Sequence, residues 1–402
     1  MSPVHDVAVI GAGPVGLAAT LALAHRGVRV VLLEEGDGSV RTEWRGSTLH
    51  PPTLEILSEL GLAHPVVEEG VRVESVQYRD LELPGIAEFH ITALGKTTPF
   101  PFRLQFEQYK LVRLLQEAIA AQPSADILFR HRVESVCQGR DHVGLTMDTH
   151  RGKKTVRARW AIAADGSHSR TRHHLGIGFS GTSHTAPSLV MATPVDLAEH
   201  IPDLAPVSYW SGPHGRVSMI RTPDVWRIAM TVEPDTEEPG TTITNSAQDP
   251  RVARALSPLL GDRGLPLLQH QTYRSHQRVA DRFQQGRVFL TGDAAHITAT
   301  TGGMGLNSGV HDVWYLARSL APRLEASPEP SEITDYEEVR RGVALRVVQP
   351  ATDTNRRQSD LDTPEARLHR LEQLMAQAGD SRVHHSSVER MSMLDAVPEP
   401  VL

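Results

Sequence analysis

Val7-Ala8-Val9-Ile10-Gly11-Ala12-Gly13-Pro14-Val15-Gly16, followed by Leu17, Leu21 and Ala24 and then by Val28–Leu33 beyond Gly27, decides the architecture of this chain. Four consecutive apolar residues read as a buried strand, and the helical spacing of Leu17, Leu21 and Ala24 reads as a helix that Gly27 ends. The β-rich run Val28–Leu33 completes a β-α-β unit whose right-handed crossover makes the two strands parallel neighbours. Gly11 permits the tight turn, Gly13 lets a pyrophosphate approach the backbone, and Gly16 lets the helix pack closely on the strand. The helix opens at Pro14 and Val15, so its unpaired N–H groups and positive dipole end face the phosphates. Glu34 and Glu35 close the second strand; Glu34 stands 23 residues after Gly11, where a carboxylate accepts both hydroxyls of an adenosine ribose. These residues predict a dinucleotide site but do not separate FAD from NAD.

Two further segments make that separation. Gly286-Arg287-Val288-Phe289-Leu290-Thr291-Gly292-Asp293-Ala294-Ala295-His296 reads as a strand ending in Gly-Asp, and Gly302-Gly303-Met304-Gly305-Leu306-Asn307 as a glycine loop opening a helix. Asp293 is placed to hydrogen-bond a ribityl hydroxyl. The helix start at Gly303, Gly305, Leu306 and Asn307 presents a positive end to the pyrimidine side of an isoalloxazine, where reduced flavin carries negative charge. The third segment is Ala164-Asp165-Gly166 with Ser169 and Arg172.

Taken together, the glycine motif with Glu34, the Asp165-Gly166 pair and the Gly292-Asp293 pair resemble, in order, the fingerprints of the flavoprotein aromatic hydroxylases of the para-hydroxybenzoate hydroxylase type. Arg45, in Trp44-Arg45-Gly46-Ser47-Thr48-Leu49-His50-Pro51, matches the family's arginine at the FAD pyrophosphate, and Gln108 a glutamine near the ribityl chain. The resemblance covers about residues 4 to 350. It implies FAD as cofactor, NADH or NADPH as a transiently bound reductant near Asp165, Gly166, Ser169 and Arg172, and dioxygen activated as a flavin hydroperoxide. The implied substrate is a small aromatic or polyketide-like molecule. Where the family has two prolines before its Gly-Gly pair, this chain has Ala299 and Thr300. Thr300 keeps a carbonyl beside the reactive flavin edge but loses the fixed φ of proline.

The rest of the chain fits an α/β (α+β) fold, in which an FAD-binding Rossmann-like parallel sheet is interrupted by an antiparallel sheet and followed by C-terminal helices. Helices are predicted at Pro52–Leu60, Gln108–Ala120 and about Gly303–Leu320. Strands are predicted at Trp160–Ala164, Val207–Trp210, Val217–Arg221, Trp226–Val232 and Val288–Thr291. The expected division assigns 1–71, 103–181 and 270–325 to FAD, 72–102 and 182–269 to a substrate sheet, and 326–402 to a helical region.

Composition excludes several alternatives. The chain has 402 residues and a formal charge of −7, from 41 Lys+Arg against 48 Asp+Glu, with no basic stripe for nucleic acid. The N-terminal apolar run is preceded by Asp6 and interrupted by Gly11, Gly13 and Gly16, so neither a signal segment nor a bilayer span is expected. A cytoplasmic monomer or homodimer is expected. The histidines show no metal spacing, so no metal is assigned. Cys137, in the apolar run after Val133, is expected to be partly buried.

Catalytic and pocket candidates come from the cleft and the antiparallel sheet. His50 lies beside Arg45 and either relays a phenolic proton or serves as an ordinary capping histidine. Met219 and Arg221 share one strand face by the period of two, and Arg221 suits a carboxylate or phenolate; Tyr209 joins them as a pocket candidate. Trp226 and Arg227 read as packing residues, and Glu365–Met375 as a solvated amphipathic helix. The rival to an oxygenase is a flavin dehydrogenase or reductase of related fold that incorporates no oxygen.

Overall fold

A computed structural model describes residues 5–40, 42, 46–184, 187–213, 215–231, 256–257, 259–261, 265–326, 329–333, 335–357 and 363–397. His5–Ile10 lies in the middle of a parallel set, with Val30–Leu33 on one side and the inner half of Gly152–Ala163 on the other. Ala125–Leu128 and Val288–Leu290 extend that set on its two flanks. These strands are apolar because helices and a second layer cover both faces; Val7 to Ile10 are all buried. The outer half of Gly152–Ala163 turns antiparallel against Val143–Thr149, which pairs in turn with His131–Gln138. Cys137 lies on that last strand and is exposed, contrary to expectation, because the strand is an outer one with a single covered face.

The glycine-loop helix runs over Pro14–Ala24 and is buried from Gly16 to Ala24. Being apolar on every side, it is sandwiched, packing on Gln108–Ala120 and on the long helix Met304–Leu320. Gln108–Ala120 has the expected bounds, whereas the next predicted helix spans Pro51–Glu59, since Pro51 at the first helical position is pre-set for the turn.

The second sheet has the order Gln269–Tyr273, Ser188–Thr193, Trp226–Thr231, Val217–Arg221, Val207–Ser211, Ser75–Asp80, Ala87–His90. It is antiparallel except where Val207–Ser211 lies parallel to Ser75–Asp80, two strands brought together from distant parts of the chain. Its outer face buries Met191, Val217, Met219, Trp226 and Ile228 against Leu197 and Ile201. Its inner face packs Val76, Phe89 and Val207 against Leu371, Leu374 and Val388 of the C-terminal helices Pro364–Gly379 and Ser381–Met391. The first of these helices is therefore more than a solvated one. Leu368 and Met375 face outward, but Arg367 is buried and donates from Nε to Asp80 Oδ2 (2.9 Å) and from Nη2 to Glu82 Oε2 (2.6 Å). No helix among the described residues is long and apolar enough to cross a membrane.

Candidate active site

Gly11 turns with φ +100°, and a Cβ there would lie 2.6 Å from the Ala164 carbonyl oxygen; a Cβ on Gly16 would collide with the Gly11 carbonyl. Gly13 caps the helix without a side-chain bond, no acid follows in the first turn, and a Cβ on it would meet nothing within 4 Å. A helix start with free N–H groups and clear space before it fits a diphosphate. Glu34 is already anchored to the loop, its Oε2 accepting from Ala12 N (2.6 Å) and its Oε1 from Gly36 N (2.7 Å). Each oxygen keeps acceptor capacity for a ribose hydroxyl. Glu35 is exposed just beyond. Pro14 takes the first helical position, and the Val15 side chain fills the space in front of Gly292 and Gly309, tying the first fingerprint to the last.

Asp165 Oδ2 accepts from Thr171 N (3.0 Å) and Thr171 Oγ1 (2.9 Å), while its Oδ1 is buried without a partner. An orphaned acceptor beside the glycine loop also suits FAD. Ser169 and Arg172, expected beside a transient nicotinamide, are instead buried. Ser169 caps Arg170–His174, and Arg172 donates to Ala294 O and Ser167 O, both at 2.9 Å, with its guanidinium 3.8 Å over the Phe179 ring. Asp293 is exposed at the end of its strand. Gln108 opens its helix, donating its backbone N–H to Gly46 O (3.2 Å). Arg45 lies outside the described residues.

The loop before the long helix turns on Gly302 (φ +84°) and Gly303 (φ +68°), and a Cβ on Gly303 would press on the Thr48 side chain. Thr300 has φ −71°, the proline range, and its hydroxyl accepts from Tyr273 Oη at 2.7 Å. Replacing proline thus leaves the backbone where a proline would put it. Asn307 uses its whole side chain inside the protein: Nδ2 donates to Thr48 O (2.8 Å) and Gly303 O (2.7 Å), and Oδ1 accepts from His50 N (2.9 Å). Only its backbone, with those of Gly305 and Leu306, is left for a cofactor at this uncapped helix start.

His50 is completely buried and its side chain does not cap the helix that follows. Its Nε2 bonds Gly302 O at 2.9 Å, which makes Nε2 the donor, and its Nδ1 is buried without a partner. Burial, then the nearby Arg103 guanidinium, hold its pKa well below 6.5 against the opposing pull of the Gly302 bond. The imidazole is neutral, and the proton-relay expectation changes accordingly. His50 fixes the Gly302 loop from beneath.

Between the inner sheet face, Thr301–Met304 and the C-terminal helices lies a cleft walled by Tyr78, Tyr209, Arg103, Arg370, Leu371 and Leu374. Tyr209, a pocket candidate, lines this cleft with its ring 5.4 Å from that of Tyr78. Burial, then Tyr209, push the Tyr78 hydroxyl up to about 12. Met219 and Arg221 do not line the cleft. Tyr209 pairs with Ser218, not with Met219, so Met219 and Arg221 project from the opposite face, and Met219 lies in the outer core. Trp226 and Arg227, both assigned to packing, make internal contacts, Trp226 Nε1 donating to Asp196 (2.9 Å). Arg227 reaches Ser47 Oγ (3.1 Å) next to the Arg45 segment, and burial lowers its pKa to about 10. The sequence reading missed Arg103, although a lone cation in Phe100-Pro101-Phe102-Arg103-Leu104-Gln105-Phe106 was a visible signal.

A family profile described as an FAD binding domain matches residues 4–351. The para-nitrophenol 4-monooxygenase of Pseudomonas sp. (strain WBC-3) is 29% identical over 401 residues, which is 98% of this chain and 96% of that protein. A 3-(3-hydroxy-phenyl)propionate/3-hydroxycinnamic acid hydroxylase of Mycolicibacterium smegmatis is 26% identical over 87% of this chain, which spans 61% of that longer relative. The crystal structure of p-nitrophenol 4-monooxygenase from Pseudomonas putida DLL-E4 superposes with a TM-score of 0.89 at 27% identity, covering 98% of this chain and 99% of that one. A complex of aklavinone-11 hydroxylase with FAD and aklavinone gives 0.76 at 27% identity, over 92% and 71%. These relatives are oxygenases, which sets aside the dehydrogenase alternative. The chain belongs to the FAD binding domain family and is one of its FAD-dependent monooxygenases.

Proposed function

We propose that the protein hydroxylates a small aromatic molecule in the cleft between the Tyr78–Tyr209 pair and the Gly302 loop, using dioxygen and NADH or NADPH. The observation that carries this reading is that the cleft ends on Thr301, Gly302 and Met304, the start of the helix assigned to the flavin. Near-complete mutual coverage with a p-nitrophenol 4-monooxygenase supports a single-ring substrate over a polycyclic one. In this reading segments 1–71, 103–181 and 270–325 hold FAD through Gly11, Gly13, Gly16, Glu34, Arg45, Gln108, Asp165 and Asp293. Segments 72–102 and 182–269 supply the sheet that carries substrate. Bound FAD would supply the reductive activation of dioxygen.

The chain's own residues orient and enclose. Leu371, Leu374 and Met391 give the cleft an apolar wall, which suits a chemistry whose activated oxygen decays when solvent reaches it. Tyr78 and Tyr209 offer ring faces to an aromatic substrate. His50 holds the Gly302 carbonyl in place, and Thr300, tied to Tyr273, holds the loop just before it.

The test supplies the purified FAD-loaded protein with 4-nitrophenol, NADH or NADPH and isotopically labelled dioxygen. One labelled oxygen atom in the organic product, with reductant consumed faster when 4-nitrophenol or another phenol is present, is the expected result. Substrate-independent consumption and unlabelled product across a panel of phenols would overturn the reading.

A further inference from the structure

Arg103 is 3% exposed, inside the short strand Arg103–Gln105, and lines the cleft. Its Nη2 donates to the backbone carbonyl of Met391, while its Nε is buried with no partner. Among the described residues no carboxylate forms an ion pair with it. The contrast with the neighbouring buried arginine is direct, since Arg367 holds both Asp80 and Glu82, so the acid in the cleft wall is already engaged. A buried guanidinium without a counter-ion is strongly unfavourable unless a ligand neutralises it. Its field is felt on both sides, lowering the pKa of His50 below the Gly302 loop and opposing the upward shift of Tyr78 in the wall. Arg370, on the helix Pro364–Gly379, lines the same cleft and adds positive charge.

Resting on the reading of the cleft as the substrate site, we infer that Arg103 is its specificity-determining cation, selecting aromatic molecules that carry an oxyanion. A phenolate and an aryl carboxylate present the same chemistry to a guanidinium, namely an oxygen acceptor for a charge-assisted hydrogen bond. The neutral Tyr78 hydroxyl in the same wall is a further donor to that oxygen.

Equilibrium dialysis of the FAD-loaded protein, without reductant, tests this by binding alone. The probes are 4-nitrophenol above its own pKa, benzoate, and uncharged nitrobenzene. The wild-type protein is expected to bind one of the two anions at least about tenfold more tightly than nitrobenzene, a charge-assisted bond being the difference. Arg103→Met should lose about tenfold or more for that anion and less than about twofold for nitrobenzene, and Arg103→Lys should recover part of the loss. A preference for 4-nitrophenolate names the phenolate as the ligand group; a preference for benzoate names the carboxylate. Equal loss for charged and neutral probes in Arg103→Met, unchanged anion binding, or no anion preference in the wild type would each overturn the assignment. Should Arg103→Met fail to retain FAD, Arg103→Gln and the wild-type preference decide. The two readings fail separately. Labelled oxygen in the product with Arg103-independent binding sinks only this inference; Arg103-dependent binding with no labelled product sinks only the hydroxylase reading.

Discussion

The parallel sheet and the seven-stranded sheet place their site residues by different rules. In the parallel sheet both faces are covered and Val7–Ile10 are buried throughout, so the chemistry is presented by backbone at fixed glycine positions. In the seven-stranded sheet the faces have opposite fates. A step of one residue moves a side chain from the cleft to the outer core, as Tyr209 and Met219 show on neighbouring strands. A backbone site is coded by position along the chain, whereas a side-chain site on a sheet is coded by register and facing.

The strongest way to break the parallel-sheet half, proposed to hold FAD, is through Asp312 on the long helix. Its Oδ2 accepts from His296 Nε2 (2.7 Å) and Gly292 N (3.1 Å), and its Oδ1 from Arg340 Nε (2.8 Å). Burial pulls the Asp312 pKa up, but His296 and Arg340 together outweigh it and hold the carboxyl below its usual range. Asp312→Ala leaves Arg340 buried without its partner and should cost about 3–5 kcal/mol, read by urea unfolding, with FAD retention falling as the Gly292 turn loosens. A loss below about 1 kcal/mol would mean that Arg340 finds another acceptor.

Acid probes the seam between the halves. Burial first, then Arg103, lower the pKa of His50, and burial, then Arg340, lower that of His311 to about 3. Both folded values lie below the unfolded one of about 6.5, so their contribution to stability is fully present above about pH 6.5 and is lost as pH falls below it, for His311 down to about 3. Each histidine can contribute up to about 1.4 kcal/mol per pH unit in that window. Denaturant midpoints measured between about pH 7 and 5 should therefore fall; a flat profile would show that the two rings reach water.

The seven-stranded sheet, proposed to carry substrate, gives the smallest effect at the residue the sequence favoured. Arg221→Ala should change stability by less than about 0.5 kcal/mol and leave KM for 4-nitrophenol within about twofold. A tenfold rise would place the Arg221 side chain in the cleft after all and undo the facing argument.

This asymmetry explains what was legible beforehand. Gly11 and Gly16 could be picked out from spacing because a positive φ and a close backbone approach admit no other residue there, and Val217–Arg221 was bounded correctly as a strand. Which face of that strand meets the cleft depends on its pairing with Val207–Ser211 and on what covers the far side, and neither leaves a local trace. The same holds for Glu365–Met375, whose alternation looked solvated because the partners of Arg367 lie nearly 300 residues earlier, at Asp80 and Glu82. Thr300 shows the converse: its φ stays in the proline range although the residue type no longer fixes it, and its hydroxyl accepts from Tyr273.

The bridge from Arg367 to Asp80 and Glu82 has a temporal consequence. A ribosome releases the glycine loop, both sheets and Arg103 before it releases Pro364–Met391, the stretch that supplies the last wall of the cleft. Arg367 meets its two acids and Met391 its contact with Arg103 only after that stretch is made, so the wall that completes the cleft is the last of its parts to be synthesised.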